Sequence, residues 1–424
     1  MRLLLVGAFP YPLAQGSQVY FQEQALALRA AGAEVELLTY ASGRPVEDPD
    51  RALDGFVHHT PSARSAPSGL DSGPAWGKPR ADCALAMTLR QTVASKVAGD
   101  AYDAILTHNV EACAVALWAL HGLPPRHVYC AHTLLGQELF TYFKHPKRKK
   151  FSGFPSRRSR LQRGLDAIGA SVDRQLARRV DGWIALTHTA QRVMRQSSTQ
   201  PGECITPPIP EPISDPGWLD PARTAERFGL EPEEFFLYSG NLDGYQELEI
   251  LAEAAELLGE ALSDPDRRPR LILASHDPRG EARVARMPGV EFRLVSSAAE
   301  MQALLGAARA SLLMRRALGG YPIKLANALA AGTPTIAFHG REWGLRDGEN
   351  GLIASPDRPA ATLAGSILRL ANDDDLAARL RMGARGLYRA QHRPEDVGRR
   401  TLALIERVVA APRRSATRSP VRAG

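Results

Sequence analysis

The sequence predicts an α/β protein with two domains, each built on a parallel sheet. Short aliphatic segments alternate with helical ones along the chain, which is the pattern of strand–helix–strand units in parallel sheets. The 424 residues suffice for two domains of ordinary size. Residues 201–222 carry many prolines and no periodicity, as is typical of a linker. We therefore predict a first domain over residues 1–200, a second over 223–411, and a disordered tail over 412–424.

The first domain is predicted from five aliphatic strands and two clear helices. The strands are expected at residues 2–8, 34–40, 103–108, 126–132 and 182–187, and the helices at 18–31 and 160–179. Gly32 follows the first helix, where a residue in the left-handed region commonly ends a helix. Residues 43–80 are rich in Gly, Pro and Ser, so we expect a long loop there.

The second domain repeats this alternation. Strands are expected at residues 235–240, 270–275, 290–295, 311–315 and 335–340, and helices at 247–259, 298–308, 322–331 and 360–371. Two such halves joined by a linker leave a cleft between them. Ligands of open α/β sheets bind at the carboxyl ends of the strands, so we expect the functional site at that cleft.

Several classes of protein are disfavoured by what the sequence lacks. It contains no GxSxG, HExxH, Walker A or GxGxxG motif and no apolar run long enough to span a bilayer. The apolar start ends at Pro10 and Pro12 without a cleavage site, which favours a buried strand over a signal peptide. The four cysteines are far apart and are expected to be reduced thiols of a cytoplasmic protein: Cys83, Cys113, Cys130 and Cys204.

The formal charge of +7 comes from one basic segment. Outside it the chain has 44 basic and 46 acidic residues. Aromatic residues accompany the segment, which suits contact with an anionic membrane surface, whereas a merely solvated segment is the alternative. No nucleic-acid-binding motif accompanies it, so we predict no nucleic-acid partner. The nine basic residues are Lys144, Lys147, Arg148, Lys149, Lys150, Arg157, Arg158, Arg160 and Arg163.

The stretch GGYPIKLANALAAGTP, residues 319–334, predicts an anion site. Glycines before a helix let the backbone approach a ligand, and the N–H groups of the first turn favour negative charge. Pro322 suits the first helical position. Lys324 lies against the positive end of the helix dipole, which is unfavourable unless an anion binds there. The alternative is an ordinary glycine turn with an exposed lysine.

Other polar residues follow predicted strands. His132 ends one strand, and His108, Asn109 and Glu111 end another, where α/β sites collect polar side chains. Gly16 precedes the first helix and could approach a ligand by the same physics as residues 319–322. A structural histidine and an ordinary turn are the alternatives.

These motifs resemble glycosyltransferase family 4, whose fold is GT-B, two Rossmann-like parallel-sheet domains facing a cleft. GSQVYFQEQALALRAAGAEVELLTY resembles the glycine loop and first helix–strand unit, and YDAILTHNVEA with VYCAHTLLGQEL resembles the acceptor-side strands. FFLYSGNLDGYQELEILAEAAELL resembles the unit that meets the donor phosphates. GGYPIKLANALAAGTPTIAF occupies the place of the signature motif, and DGENGLIA resembles the turn that follows it.

The resemblance implies a retaining glycosyltransferase without metal or cofactor. It would transfer a hexose-type sugar from a nucleotide-diphosphate donor to a lipid-linked, polysaccharide or other glycan acceptor, at the inner face of the cytoplasmic membrane. The leaving diphosphate would help to deprotonate the acceptor. The implied catalytic residues are His132 and Lys324. The implied donor-binding residues are Gly16, Asn241, Gln246, Arg315, Gly319, Gly320, Tyr321, Pro322, Ile323 and Asn327, and the implied acceptor-side residues are His108, Asn109, Glu111 and Glu138.

The sequence departs from the family pattern at several positions, four of which are implied donor-binding residues. Gly319 and Asn327 stand where the signature motif has two glutamates, while Asn241 and Gln246 replace an arginine and a lysine that grip the diphosphate. Asn327 can still bond a ribose hydroxyl. We therefore expect altered donor choice more than inactivity. The alternatives are a nucleotide-sugar-binding protein with lost or altered catalysis, or a GT-B enzyme with a non-sugar acceptor or epimerase chemistry.

Overall fold

The computed structural model contains two parallel β-sheets, as predicted. It describes residues 1–12, 15–41, 55–65, 77–96, 100–137, 160–214, 217–242, 246–262, 264, 268–316 and 319–412, with the backbone alone at 160–162. Most of residues 43–80, Glu138, the basic segment up to residue 159 and the tail beyond 412 lie outside these ranges.

The first sheet has seven strands in the order β3-β2-β1-β4-β5-β6-β7. They are β1 Arg2–Pro10, β2 Glu34–Tyr40, β3 Val57–His59, β4 Ala104–His108, β5 Arg126–Ala131, β6 Gly182–Ala185 and β7 Gly202–Cys204. The helices of this part are α1 Gly16–Ala30, α2 Lys78–Ala94, α3 Asn109–Ala119, α4 Arg160–Arg179 and α5 His188–Ser197. Residues 3–6 are sealed from solvent, because helices cover both faces of a parallel sheet.

The second sheet has six strands in the order β10-β9-β8-β11-β12-β13. They are β8 Phe235–Ser239, β9 Arg270–Ser275, β10 Val290–Leu294, β11 Ala310–Leu313, β12 Thr335–Ala337 and β13 Gly351–Ile353. Its described helices are α6 Pro221–Arg227, α7 Glu249–Ala261, α8 Arg279–Val284, α9 Ala298–Ala307, α10 Ile323–Ala330, α11 Pro359–Ala371, α12 Asp374–Gln391 and α13 Pro394–Ala410.

The predicted elements are found within a few residues of their expected bounds. Gly32 has φ +94°, which confirms the left-handed end of α1. Three strands were not predicted: β3, β7 and β13, each three residues long. The expectation of a continuous loop over residues 43–80 is wrong at β3 and at the start of α2. β7 lies inside the predicted linker, because a three-residue edge strand is too short to show periodicity.

The chain returns to the first sheet at its end. α13 packs on α1 so closely that a Cβ at Gly398 would lie 2.3 Å from the carbonyl oxygen of Ala27. The linker is fixed at the junction of α12 and α13, where His392 O accepts from Ile209 N at 3.0 Å and Tyr388 Oη donates to Ile209 O at 2.8 Å. A continuous apolar core therefore joins the two sheets. Within the described ranges, no helix is long and apolar enough to cross a membrane.

Candidate functional site

The loop before α10 touches the end of β5 across the cleft. Gly320 has φ +62°, and a Cβ there would lie 2.6 Å from Thr133 Cγ2 and 2.8 Å from the carbonyl oxygen of His132. Glycine is therefore required both for the backbone conformation and for the approach of the two domains. The Trp343 indole N–H donates to Gly320 O at 3.1 Å and holds the loop from its other side.

The first turn of α10 faces the first turn of α1. Pro322 is the N-cap residue of α10, one position before the predicted one, and no side chain caps this end. A Cβ at Gly16 would lie 3.5 Å from Ile323 Cγ1, so the two glycine-containing helix starts are neighbours. The structure thus brings Gly16 and Ile323 together, and their role in binding a ligand stays a prediction. Amides at such helix starts favour an anion.

Lys324 extends from α10 to the end of β8. Its Nζ donates to Tyr238 Oη at 2.8 Å and lies 4.3 Å from the centroid of the Tyr238 ring. Gly240 has φ +116°, and a Cβ there would lie 2.7 Å from Lys324 Cε. The ammonium is therefore held over Tyr238 at the carboxyl edge of the second sheet, where a ligand is expected.

Asn241 and Gln246, which replace the expected arginine and lysine, form a hydrogen bond with each other. Gln246 Nε2 donates to Asn241 Oδ1 at 2.9 Å, and Gln246 is only 4% exposed. Tyr238 Oη donates to Asn241 O at 2.7 Å. This part of the site consequently offers a neutral amide pair that is tied to the residue beneath Lys324.

The neighbouring arginines differ in their surroundings. Arg316 is bound to Glu247, with Nη2 2.6 Å from Oε1 and its backbone N–H donating to Oε2 at 3.1 Å. His339 Nε2 lies 2.7 Å from Arg316 O and helps to fix this backbone. The charge of Arg316 is therefore largely balanced in place. Arg315 is half-buried beside it.

Tyr321 points away from the cleft. Its hydroxyl is 2.8 Å from Nε2 of His392, whose Nδ1 lies 2.7 Å from Pro207 O. Burial raises the pKa of Tyr321 and lowers that of His392 to about 4. Only the backbone of Tyr321 is thus placed to face a ligand, whereas its side chain links α10 to the linker.

Asn327 and Gly319 lie at the flanks of this site. Gln302 Nε2 donates to the backbone oxygen of Asn327 at 2.9 Å and holds α10 against α9, while the residue itself is half-buried. Gly319 is buried in the loop before Gly320. No carboxylate projects from either position.

Two histidines from adjacent strands form a buried pair. His108 Nδ1 lies 2.8 Å from His132 Nε2, and the residues are 0% and 6% exposed. Burial lowers the pKa of His132 to about 3 and that of His108 well below its ordinary value. Both rings are therefore neutral near pH 7.

Cys130 lies beside this pair. The ligand atoms of His108, Cys130 and His132 are within 4.8 Å of one another, and these atom types are ones that zinc binds. However, the imidazole nitrogens already share a hydrogen bond, Cys130 Sγ lies 3.1 Å from Tyr20 Oη, and burial raises the pKa of the Cys130 thiol to about 12. The arrangement is that of a hydrogen-bonded neutral cluster, and metal independence stays a prediction.

The predicted acceptor-side residues occupy different depths. Asn109 begins α3 with φ +73°, and Glu111 Oε1 accepts from Lys78 Nζ at 2.7 Å on the more exposed side of the same helix. His108 lies beneath them, sealed from solvent. Glu138 lies outside the described residues.

Three residues of the site were not found from the sequence. Tyr238 lies under Lys324, Trp343 fixes Gly320, and Glu247 balances Arg316. Their partners are 86, 23 and 69 residues away along the chain. Gly240, at the end of a strand, is a sequence signal that could have indicated a close approach here.

Comparison with protein families gives two matches that together span most of the chain. Residues 15–208 match the family described as a glycosyl transferase 4-like domain, and residues 233–373 match glycosyl transferases group 1. A sequence comparison with curated proteins finds no match.

Solved structures with the same fold cover almost the whole chain. Sucrose-phosphate synthase (tll1590) from Thermosynechococcus elongatus has 18% sequence identity and a TM-score of 0.74, covering 97% of this chain and 100% of its own. Anabaena Alr3699/HepE, crystallised with UDP-glucose, has 16% identity and a TM-score of 0.68 over 96% and 99%. WaaG, a glycosyltransferase involved in lipopolysaccharide biosynthesis, has 16% identity and a TM-score of 0.63 over 95% and 99%. The predicted GT-B fold is confirmed.

Proposed function

Because the chain belongs to the glycosyltransferases that pair a glycosyl transferase 4-like domain with a group 1 domain, we propose that it transfers a hexose-type sugar from a nucleotide-diphosphate donor with retention of configuration. The acceptor in this proposal is a lipid-linked, polysaccharide or other glycan. The observation that carries the proposal is Lys324, held over Tyr238 beside the uncapped start of α10. The Anabaena HepE complexes with UDP and UDP-glucose support a donor of this class.

The proposed site stabilises the departing diphosphate without a metal. Lys324 supplies a positive charge, and the backbone amides at the start of α1 and in the loop and first turn of α10 supply oriented N–H groups. Such fixed dipoles lower the barrier by stabilising charge that develops in the transition state. Asn241 and Gln246 add hydrogen-bonding capacity but no charge. The leaving diphosphate takes the proton of the acceptor hydroxyl as the new glycosidic bond forms.

His132 has a hydrogen-bonding role in this proposal. It adjoins Gly320, so it borders the place where the donor sugar and diphosphate meet. Its pKa is lowered to about 3 by burial, which makes it a weak base near pH 7. It therefore orients a donor oxygen and does not remove a proton. Asn327, on the same helix as Lys324, is the proposed contact for the ribose.

The direct test combines nucleotide binding with product analysis. Purified protein is titrated with nucleoside diphosphates and then incubated with a panel of nucleotide sugars and acceptors, with products identified by mass and anomeric configuration. Lys324→Ala should weaken diphosphate binding roughly tenfold to a hundredfold, because a hydrogen bond to a charged group contributes about 1.5–3 kcal/mol. Unchanged affinity in that variant would contradict the proposed donor site.

A second candidate is a nucleotide-sugar-binding protein without transferase activity. The neutral Asn241–Gln246 pair and the missing carboxylate at Gly319 favour it, since both reduce the number of charged groups that can contact a donor. Tight binding with neither transfer nor hydrolysis of any donor would support this candidate. A product lacking a sugar acceptor, or an isomerised donor, would instead indicate a non-sugar acceptor or epimerase chemistry.

The proposal also places the enzyme at the inner face of the cytoplasmic membrane. Its support is the basic segment, residues 144–163, since each Lys or Arg near acidic lipids contributes about 1 kcal/mol. Flotation with vesicles of phosphatidylglycerol and phosphatidylcholine, compared with phosphatidylcholine alone, tests this. Equal recovery of the protein with both kinds of vesicle would contradict binding to an anionic membrane surface.

A further inference from the structure

His132 is held by two neighbours within the first domain. Its Nε2 bonds His108 Nδ1 at 2.8 Å, and its ring centroid lies 4.7 Å from that of Tyr20. Tyr20 is itself fixed by its hydroxyl, 3.1 Å from Cys130 Sγ. The ring that borders the donor loop is therefore supported by groups that do not reach the cleft.

The hydrogen bond between the two histidines contains one proton, because both rings are neutral. If His132 were the donor, the proton of His108 would sit on Nε2, which is buried and has no hydrogen-bond partner among the described residues. A buried N–H without a partner costs about 1–3 kcal/mol, and such groups are rare in proteins. If His108 Nδ1–H is the donor, that buried nitrogen carries no proton. The second arrangement avoids the orphaned donor.

This choice decides which atom His132 presents to the cleft. With Nε2 accepting from His108, the proton of His132 must lie on Nδ1. In the part of the chain that the structure describes, Nδ1 of His132 bonds no other group, and it is not among the buried unpartnered atoms. It is therefore the polar atom of the ring that a ligand can reach.

We propose that His108 is a positioning residue whose Nδ1–H donates to Nε2 of His132, which fixes the His132 proton on Nδ1 and presents a neutral N–H donor beside Gly320. The proposal rests on the proposed function, since it names what this N–H meets: an oxygen of the sugar or diphosphate. A second-layer hydrogen bond of this kind sets the tautomer and orientation of a functional imidazole. His108 would thus act through His132 and touch no substrate.

The first test needs no activity. The full-length protein is labelled with ring-¹⁵N histidine, and the His132 signals are assigned by their loss in His132→Gln. The wild-type protein should show a protonated Nδ1 and an unprotonated, hydrogen-bonded Nε2 at His132. A proton on Nε2 of His132 would overturn the proposal. Because this readout is independent of turnover, it separates failure of the proposal from failure of the proposed function.

The second test uses two substitutions of His108 and one control. His108→Leu removes the donor, whereas the side-chain N–H of His108→Asn can occupy the place of Nδ1–H. We expect His108→Leu to lower kcat roughly a hundredfold, as misplacement of a functional group can, with KM for the donor changed little, and His108→Asn to restore most of the loss. His127→Leu is the matched control, because His127 is also a buried histidine of the same sheet and bonds Thr107 at 2.8 Å, away from His132.

The outcomes decide between positioning and mere packing. Rescue by His108→Asn together with near-normal kcat in His127→Leu supports the proposal. Equal loss of kcat in His108→Asn and His108→Leu, or in His127→Leu, would overturn it in favour of general packing. Should His108→Leu fail to fold, the wild-type tautomer and the kcat of His108→Asn still distinguish positioning from packing.

Discussion

The place of Lys324 is determined by Tyr238. A cation in the first turn of a helix is opposed by the helix dipole, yet this ammonium lies 4.3 Å from an aromatic ring and bonds its hydroxyl. A cation over a tyrosine ring gains about 0.5–2 kcal/mol depending on its exposure, which offsets the dipole before any ligand arrives. The amine is consequently held in one position, so a bound diphosphate does not have to order it.

Without the hydroxyl of Tyr238, the Lys324 ammonium should be held less firmly in its position. Tyr238→Phe keeps the ring but loses the hydrogen bonds to Lys324 and to Asn241 O. We expect diphosphate affinity to fall about fivefold, in line with about 1 kcal/mol for one hydrogen bond, measured by titration calorimetry. Tyr102→Phe is the control, because Tyr102 is also buried but bonds Glu36 far from the cleft. Equal affinity in wild type and Tyr238→Phe would show that the hydroxyl does not position Lys324.

Several residues of the candidate site could be predicted from the sequence, but the side chains that they contact could not. Gly320, Lys324 and His132 were found from their places after strands and at a helix start. The contacts of Lys324 with Tyr238 and of His132 with His108 join different strands and helices, and no local pattern reveals which side chains meet there. Tyr321 shows the same limit, since its side chain bonds His392 instead of facing the cleft.

At the scale of elements, the loop before α10 is the part of the second domain that packs against the end of β5 in the first domain. It can lie against β5 only because position 320 has no Cβ, and Trp343 prevents it from moving back. The strands that carry it were predictable because a parallel sheet buried on both faces demands continuous aliphatic runs. The three-residue edge strands β3, β7 and β13 were not, because their length leaves no periodic signal.

Gly320→Ala should separate the loop from β5. The new methyl would meet Thr133 and the carbonyl of His132 in addition to straining a backbone with φ +62°. We expect kcat/KM to fall roughly a hundredfold or more, since a displacement of about 1 Å at a reacting centre has that effect. The measurement is steady-state kinetics with a donor identified by the nucleotide-sugar screen.

Gly229→Ala provides the comparison for backbone strain alone. Gly229 has φ +68°, but a Cβ there would meet nothing within 4 Å. Both variants should lose about 1–3 kcal/mol of stability from the strained conformation, while only Gly320→Ala loses activity. A similar loss of activity in both would contradict the role of Gly320 as a close-contact glycine.

At the scale of the whole molecule, the cleft is built on a buried polar link between the domains. His392 bonds Pro207 O in the linker and the hydroxyl of Tyr321 at the donor loop. Glu342 Oε2 accepts from the N–H of Thr189 at 2.8 Å, which ties the second domain to the first turn of α5. The arrangement of the two sheets is thus held by directional bonds as well as by the shared apolar core.

Tyr321→Phe tests this link separately from catalysis. The change leaves Nε2 of His392 buried without its partner, which should lower the free energy of unfolding by about 1–3 kcal/mol. Because the hydroxyl faces away from the cleft, kcat should stay within about twofold of wild type. Denaturant unfolding and steady-state kinetics on the same preparation check both. A large loss of kcat with unchanged stability would instead show that the side chain of Tyr321 acts in the donor site.

The stability of the whole chain should fall on mild acidification. Burial lowers the pKa of His127 and His132 to about 3 and of His58 and His392 to about 4. In the unfolded chain these rings titrate near pH 6.5. Between about pH 6.5 and pH 4 the unfolded state therefore binds more protons than the folded state does. Stability is therefore fully present above that window and decreases as pH falls through it, by up to about 1.4 kcal/mol per pH unit for each histidine.

Glu36 governs how the stability depends on pH in the more acidic range. Hydrogen bonds from His59, Lys96 and Tyr102 overcome the opposing effect of burial and lower the pKa of Glu36 to about 2, so its contribution is lost only below about pH 4.5. Calorimetric melting between pH 7.5 and pH 5 isolates the histidines, and we expect the melting temperature to decline throughout the lower half of that range. His127→Gln, which removes one buried imidazole outside the cleft, should make the decline shallower. A melting temperature that is constant from pH 7 to pH 5 would show that the buried imidazoles are protonated without unfolding.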